Sequence, residues 1–150
     1  MKKADRMEAF VQALGTAADP ALDPCYLGFF KCFNEQRYYE AHDVLEHLWL
    51  KGRDENYAFF KGLIQVAGAF VHLQKQALRP THPKDGPRLR PASRLFLIAR
   101  TNLDPYRPQH LRCDVTALCR LCEENAAQIE ANNFQVNPWK SAHPPILQLL

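Results

Sequence analysis

Apolar residues recur at intervals of three and four along most of the chain, and no run alternates with the period of two that marks a strand. Met7, Phe10, Val11 and Leu14 predict a first helix over 2–14, ended by Gly15. A linker over 16–24 with two Asp-Pro steps follows. Asp23 offers an N-cap and Pro24 a first helical residue, so a second helix starts there. It buries Tyr26 or Leu27, Phe29, Phe30 and Phe33, and stops near Asn34. A turn through Glu35 and Gln36 leads to a third helix over 38–51, closed by Gly52. Asp54 can cap a fourth, longer helix over 56–76. Pro80, Pro83, Gly86 and Pro87 mark a loop before a fifth helix over 91–103. Asp114 can cap a sixth over 115–131. The remainder, 132–150, carries Pro138, Pro144 and Pro145 and reads as an extended tail, with Phe134, Trp139, Ile146 and Leu147 to dock it. The expected architecture is all-α: a single-domain antiparallel array of about five to six helices with an extended C-terminal tail.

Composition supports one core. The 150 residues are 47% hydrophobic and 11% aromatic, enough to bury a core without disulfides or a structural metal. Asp5, Arg6 and Glu8 interrupt any signal-peptide core. The longest apolar stretch, 59–73, is too short to span a bilayer and contains Lys61, Gln65 and His72. The expectation is a cytoplasmic protein without membrane contact, its five cysteines reduced. The net charge of +3 hides an asymmetry: segment 79–112 holds eight basic residues against two acidic ones. Such a patch can attract nucleic acid. No stacking aromatics are interleaved with these arginines, so nucleic-acid binding is the disfavoured reading.

The fourth helix narrows the choice. It is apolar nearly all round, which is the mark of a buried helix. Yet Lys61, Gln65 and His72 fall within about 40° of one another at about 100° per residue. Gly68 shares their stripe, where the missing side chain lets a ligand or backbone approach. The stripe is expected to be buried and therefore to require partners, because an unpaired polar group costs about 1–3 kcal/mol. The third helix can supply them: His42 and Glu46 lie one turn apart at the edge of its apolar face of Tyr38, Ala41, Leu45, Leu48 and Trp49.

Two readings of this constellation stay open. In one, His42, Glu46, Lys61, Gln65 and His72 form a structural network in a scaffold or binding module for a protein or small molecule. In the other, His42, Glu46 and His72 hold a divalent metal whose bound water serves a hydrolytic enzyme. No HExxH motif, nucleophile elbow or phosphate loop is present to decide it. Glu46→Ala is expected to cost about 2–4 kcal/mol, because it strands buried partners. His47 is expected to face solvent, Glu40 and Asp43 to be surface charges, and Cys119 and Cys122 to be plain thiols. Self-association is left open.

The blocks Phe33-Asn34-Glu35-Gln36-Arg37-Tyr38-Tyr39-Glu40-Ala41-His42-Asp43-Val44-Leu45-Glu46-His47-Leu48-Trp49 and Tyr57-Ala58-Phe59-Phe60-Lys61-Gly62-Leu63-Ile64-Gln65-Val66-Ala67-Gly68-Ala69-Phe70, the latter followed by His72, resemble the signature of the domain of unknown function 309 family. The resemblance covers about 24–106, leaving a C-terminal helix and tail over 114–150. It implies an all-helical fold without an established activity, and places the family's recurrent polar positions on Asn34, His42, Glu46, Lys61, Gln65 and His72. Pro91 stands where the family has glycine, after a long, basic, proline-rich loop.

Overall fold

The computed structural model describes residues 2–16 and 19–150; Met1 and the linker residues Ala17 and Ala18 lie outside them. Six helices follow one another: α1 (Lys3–Ala13), α2 (Pro24–Asn34), α3 (Tyr38–Trp49), α4 (Tyr57–Leu78), α5 (Leu89–Leu103) and α6 (Val115–Ala131). Local chemistry sets several of their ends. The Asp23 carboxylate accepts from the Cys25 amide at 2.8 Å, with Pro24 opening α2. Asp114 caps α6 in the same way, accepting from the Ala117 amide at 3.0 Å. Asp54 instead accepts from the Asn56 amide at 2.8 Å, one turn short of α4.

Consecutive helices pack as antiparallel neighbours. Between α2 and α3, Phe33 meets Tyr38 with ring centroids 5.1 Å apart, and Gly28 faces Val44. Between α3 and α4, Tyr38 stacks on Phe70 while Trp49 lies against Tyr57, so positions climb one helix as they descend the other. Between α4 and α5, Gly62 faces Leu103 and Gly68 faces Leu95. Arg100 and Glu123 join α5 to α6. The core runs through α2 to α6 and includes Trp139 of the tail, with a smaller cluster of Val11, Cys25 and Val44 beneath α1. Among the described residues no helix is long and apolar enough to cross a membrane.

Two features depart from the helical pattern. α2 ends in a Schellman turn: the Arg37 amide reaches the Cys32 carbonyl and the Gln36 amide reaches that of Phe33. Gln36 occupies the left-handed position, φ 61°, where glycine is usual. A two-residue hairpin, unanticipated by the apolar periodicity, pairs β1 (Gln109–His110) with β2 (Cys113–Asp114). Its turn residues Leu111 and Arg112 both have positive φ, the primed geometry normally given to Asn-Gly. Long-range bonds hold it. Tyr26 donates to the Leu111 carbonyl at 3.0 Å, and Arg112 exchanges bonds with Leu150 through both backbone and side chain.

The tail is extended, as expected, and Trp139 is its anchor, donating from its buried indole to the Tyr38 hydroxyl at 3.0 Å. Ile146 was expected to dock but stands half exposed, and the neighbouring Leu147 takes the contact.

Candidate functional site

The polar stripe exists, but it is not buried. His42 and Glu46 keep 31% and 32% of their side-chain surface, Lys61 is exposed, and Gln65, Gly68 and His72 are half-buried. The reason is geometric. α3 and α5 flank α4 on either side and cover its apolar flanks, leaving the stripe open between them. Among the described residues the buried polar side chain is Ser93, on α5. With Glu46 in water, its removal strands nothing. Glu46→Ala is therefore expected to change unfolding free energy by less than about 1 kcal/mol, the range of exposed ion pairs, and a urea titration would measure it.

Neighbouring elements fix the exposed groups. Asn102 of α5 donates to the Gln65 side-chain carbonyl at 2.7 Å. Gly68 lets His42 and Leu95 approach from opposite sides: a Cβ there would sit 4.0 Å from the imidazole and 3.4 Å from the leucine methyl. The His42 Nδ1 lies 3.1 Å from the Asp43 carboxylate, whereas its Nε2 is 3.7 Å from Glu46, beyond a hydrogen bond. Asp43, expected to be a plain surface charge, thus orients His42.

His72 has a different partner. Arg88, at the start of α5, places Nη1 3.0 Å from His72 Nδ1, while its Nε and Nη2 grip the Asp85 carboxylate at 3.0 and 2.7 Å. A guanidinium can only donate, so His72 Nδ1 accepts and the ring proton resides on Nε2. Burial first, then the positive charges of Arg88 and Lys75, hold the imidazole below its ordinary value near 6.5. Asp85 is lowered as well, its carboxyl held down mainly by its bond from Arg88. The folded chain thus refuses a proton that the unfolded chain accepts. Stability is full above about pH 6.5 and falls as the pH drops below it. His110, lowered chiefly by burial, contributes with the same sign. His72→Gln should therefore lose less stability than wild type between about pH 7.5 and 5.5. Identical acid limbs in urea unfolding would show that folding does not hold the His72 imidazole down.

The expected metal triad of His42, Glu46 and His72 does not assemble. Among the described residues no group of three or more His, Cys, Asp or Glu side chains converges as a shell would require. His42 is engaged by its own helix, and His72 turns a lone pair toward a guanidinium, whose charge opposes a second cation.

Two residues read as part of the site serve elsewhere. Asn34 clamps the tail: its Nδ2 donates to the Leu147 carbonyl and its Oδ1 accepts from the Leu147 amide, both at 2.8 Å. Trp49 packs against Tyr57 with centroids 5.0 Å apart, and among the described residues its buried indole nitrogen has no partner. His47, expected in solvent, likewise has a buried and unpartnered Nε2. Asn102 and Arg88 were missed by sequence reasoning, since their role depends on which α5 face meets α4.

The basic segment is largely spent inside the fold. Arg79 and Arg88 flank Asp85, Arg107 pairs with Asp104, Arg112 with Asp19 and Arg100 with Glu123. Arg90 covers the Phe134 ring at 4.0 Å. All five cysteines are free and buried, and burial pushes the Cys122 thiol up to about 12, so Cys119 and Cys122 are inert core thiols.

No curated protein and no solved structure matches the chain. The family model described as Domain of unknown function (DUF309) matches residues 26–82, which span most of α2 together with α3 and α4 and carry His42, Glu46, Lys61, Gln65, Gly68 and His72; over this stretch the chain is similar to that family.

Proposed function

We propose that the chain is a binding module that engages a protein partner through the open face of α3, α4 and α5. The observation that carries this reading is the held geometry of polar groups that stay partly exposed: Gln65 is oriented by Asn102, His72 by Arg88 and His42 by Asp43. Ordering side chains costs entropy. A surface that has met this cost before binding suits recognition. Ile98, three residues after Leu95 and four before Asn102 on α5, stands exposed and supplies apolar area on the same flank. Five cavities of about 240–510 Å³ lie elsewhere on the molecule, bordered by none of His42, Gln65 or His72. The five free thiols suit a cytoplasmic setting.

Photo-cross-linking in cells tests the reading. Benzoylphenylalanine placed at Lys61 or Ile98 should yield discrete heavier adducts, and Gly68→Arg in the same chain should abolish them. The same probe at Glu130, exposed on α6, should yield none. Equal labelling at Glu130, or adducts indifferent to Gly68→Arg, would overturn the assignment.

A further inference from the structure

A second surface lies on the other side of α3. α1 is lightly held: only Val11 along its length is buried, and no side chain caps its N-terminus. Between α1 and α3 runs a groove of about 420 Å³. Its floor is apolar, made by Met7, Phe10 and Tyr39, and the tyrosine is 58% exposed. Its walls carry opposite charge. Lys3 and Arg6 line the α1 side, Glu40 and Asp43 the α3 side. Among the described residues neither wall is neutralised by the other: Lys3, Arg6 and Glu40 enter no ion pair, and Asp43 meets only His42. Lys3 and Arg6 also stand in the first turns of α1, where the helix dipole disfavours positive charge. The groove therefore presents an apolar strip between a basic edge and an acidic edge, each in want of a counterpart.

The geometry points to a second copy of this chain as that counterpart. A two-fold axis lying along the groove lays the basic α1 wall of each copy over the acidic α3 wall of the other and closes the two apolar floors together. An axis across the groove would put like charge on like, so the charge pattern itself selects one arrangement. One helix of eleven residues, about 16 Å long, and its facing wall supply less than the ~1,600 Å² of a standard interface. The dimer is accordingly weak, forming at micromolar concentrations and above. This surface adjoins the α3–α4–α5 face at Asp43 and Tyr39, which touch His42, so the two proposals are told apart by their readouts: self-association here, cross-linking to a foreign partner there.

Charge reversal provides the test. Sedimentation velocity of the full chain, from about 1 to several hundred micromolar, should show a monomer–dimer shift that weakens with salt. The pair Lys3→Glu with Arg6→Glu makes both walls acidic. The pair Glu40→Lys with Asp43→Lys makes both basic. Each double variant alone should stay monomeric across that range, with at least a tenfold loss of self-affinity. Mixed in equal amounts, they should regain a dimer containing one chain of each kind. That recovery needs both variants folded, so it separates lost pairing from lost structure. A wild-type chain that stays monomeric throughout, variants that self-associate like wild type, or a mixture that fails to pair would each overturn the proposal. A monomeric wild type would leave the groove to a foreign segment with one acidic and one basic edge.

Discussion

Phe70→Ala is expected to lower the unfolding free energy by about 3–5 kcal/mol, the largest loss of any single truncation in α4. Phe70 is 1% exposed. Its ring lies 5.4 Å from Phe33, 5.3 Å from Tyr38 and 5.2 Å from Phe96, so one side chain joins α2, α3, α4 and α5. Removing it leaves a cavity walled by three aromatic rings belonging to three different helices, which cannot all close on it together. Urea unfolding would measure the loss. A cost under about 1.5 kcal/mol, the range of a well-tolerated core swap, would mean that the helices collapse onto the gap and that the aromatic centre is plastic.

The second large effect separates two glycines that look alike in sequence, six residues apart on one helix. A Cβ at Gly62 would lie 2.7 and 2.9 Å from two carbons of Leu103 and 3.3 Å from the Ala99 carbonyl oxygen. Leucine can yield somewhat; the α5 backbone cannot without moving the helix. Gly62→Val should therefore cost about 3 kcal/mol through overpacking. At Gly68 the nearest atoms would be 3.4 and 4.0 Å away, ordinary contact distances. Gly68→Ala should accordingly stabilise, by up to about 1 kcal/mol, because alanine is the better helix former. Thermal melts of the two variants should move in opposite directions. Equal shifts would indicate that α4 and α5 do not meet at Gly62.

This contrast marks where sequence reasoning ran out. Periodicity and caps were enough for the helices, because Asp23, Pro24 and Asp114 act on amides within three residues of themselves. They were silent on the hairpin, where Leu111 and Arg112 adopt positive φ and are bonded by Tyr26 and Leu150, residues far along the chain. The polar stripe was legible because Lys61, Gln65, Gly68 and His72 share one helical phase. Its exposure was not, since an apolar helix covered on two flanks has the same composition as one covered all round. The partners of Gln65 and His72 come from α5, and no local pattern marks Asn102 or Arg88 as theirs. Asn34 was misread for the same reason: its carboxamide serves a backbone 113 residues away.

The tail's anchorage bears on how this chain can be divided. Tyr38, Asn34, Leu73 and Gln76 all lie within 26–82, and all spend hydrogen bonds on residues beyond 136. Phe70 and Gly62 in turn lean on Phe96 and Leu103 of α5. A fragment cut to 26–82 would bare an oily flank and orphan several polar atoms at once, so it should clump or stay molten rather than fold. The matched segment leans on the rest of the architecture: its inner surface is completed by sequence that the match does not reach.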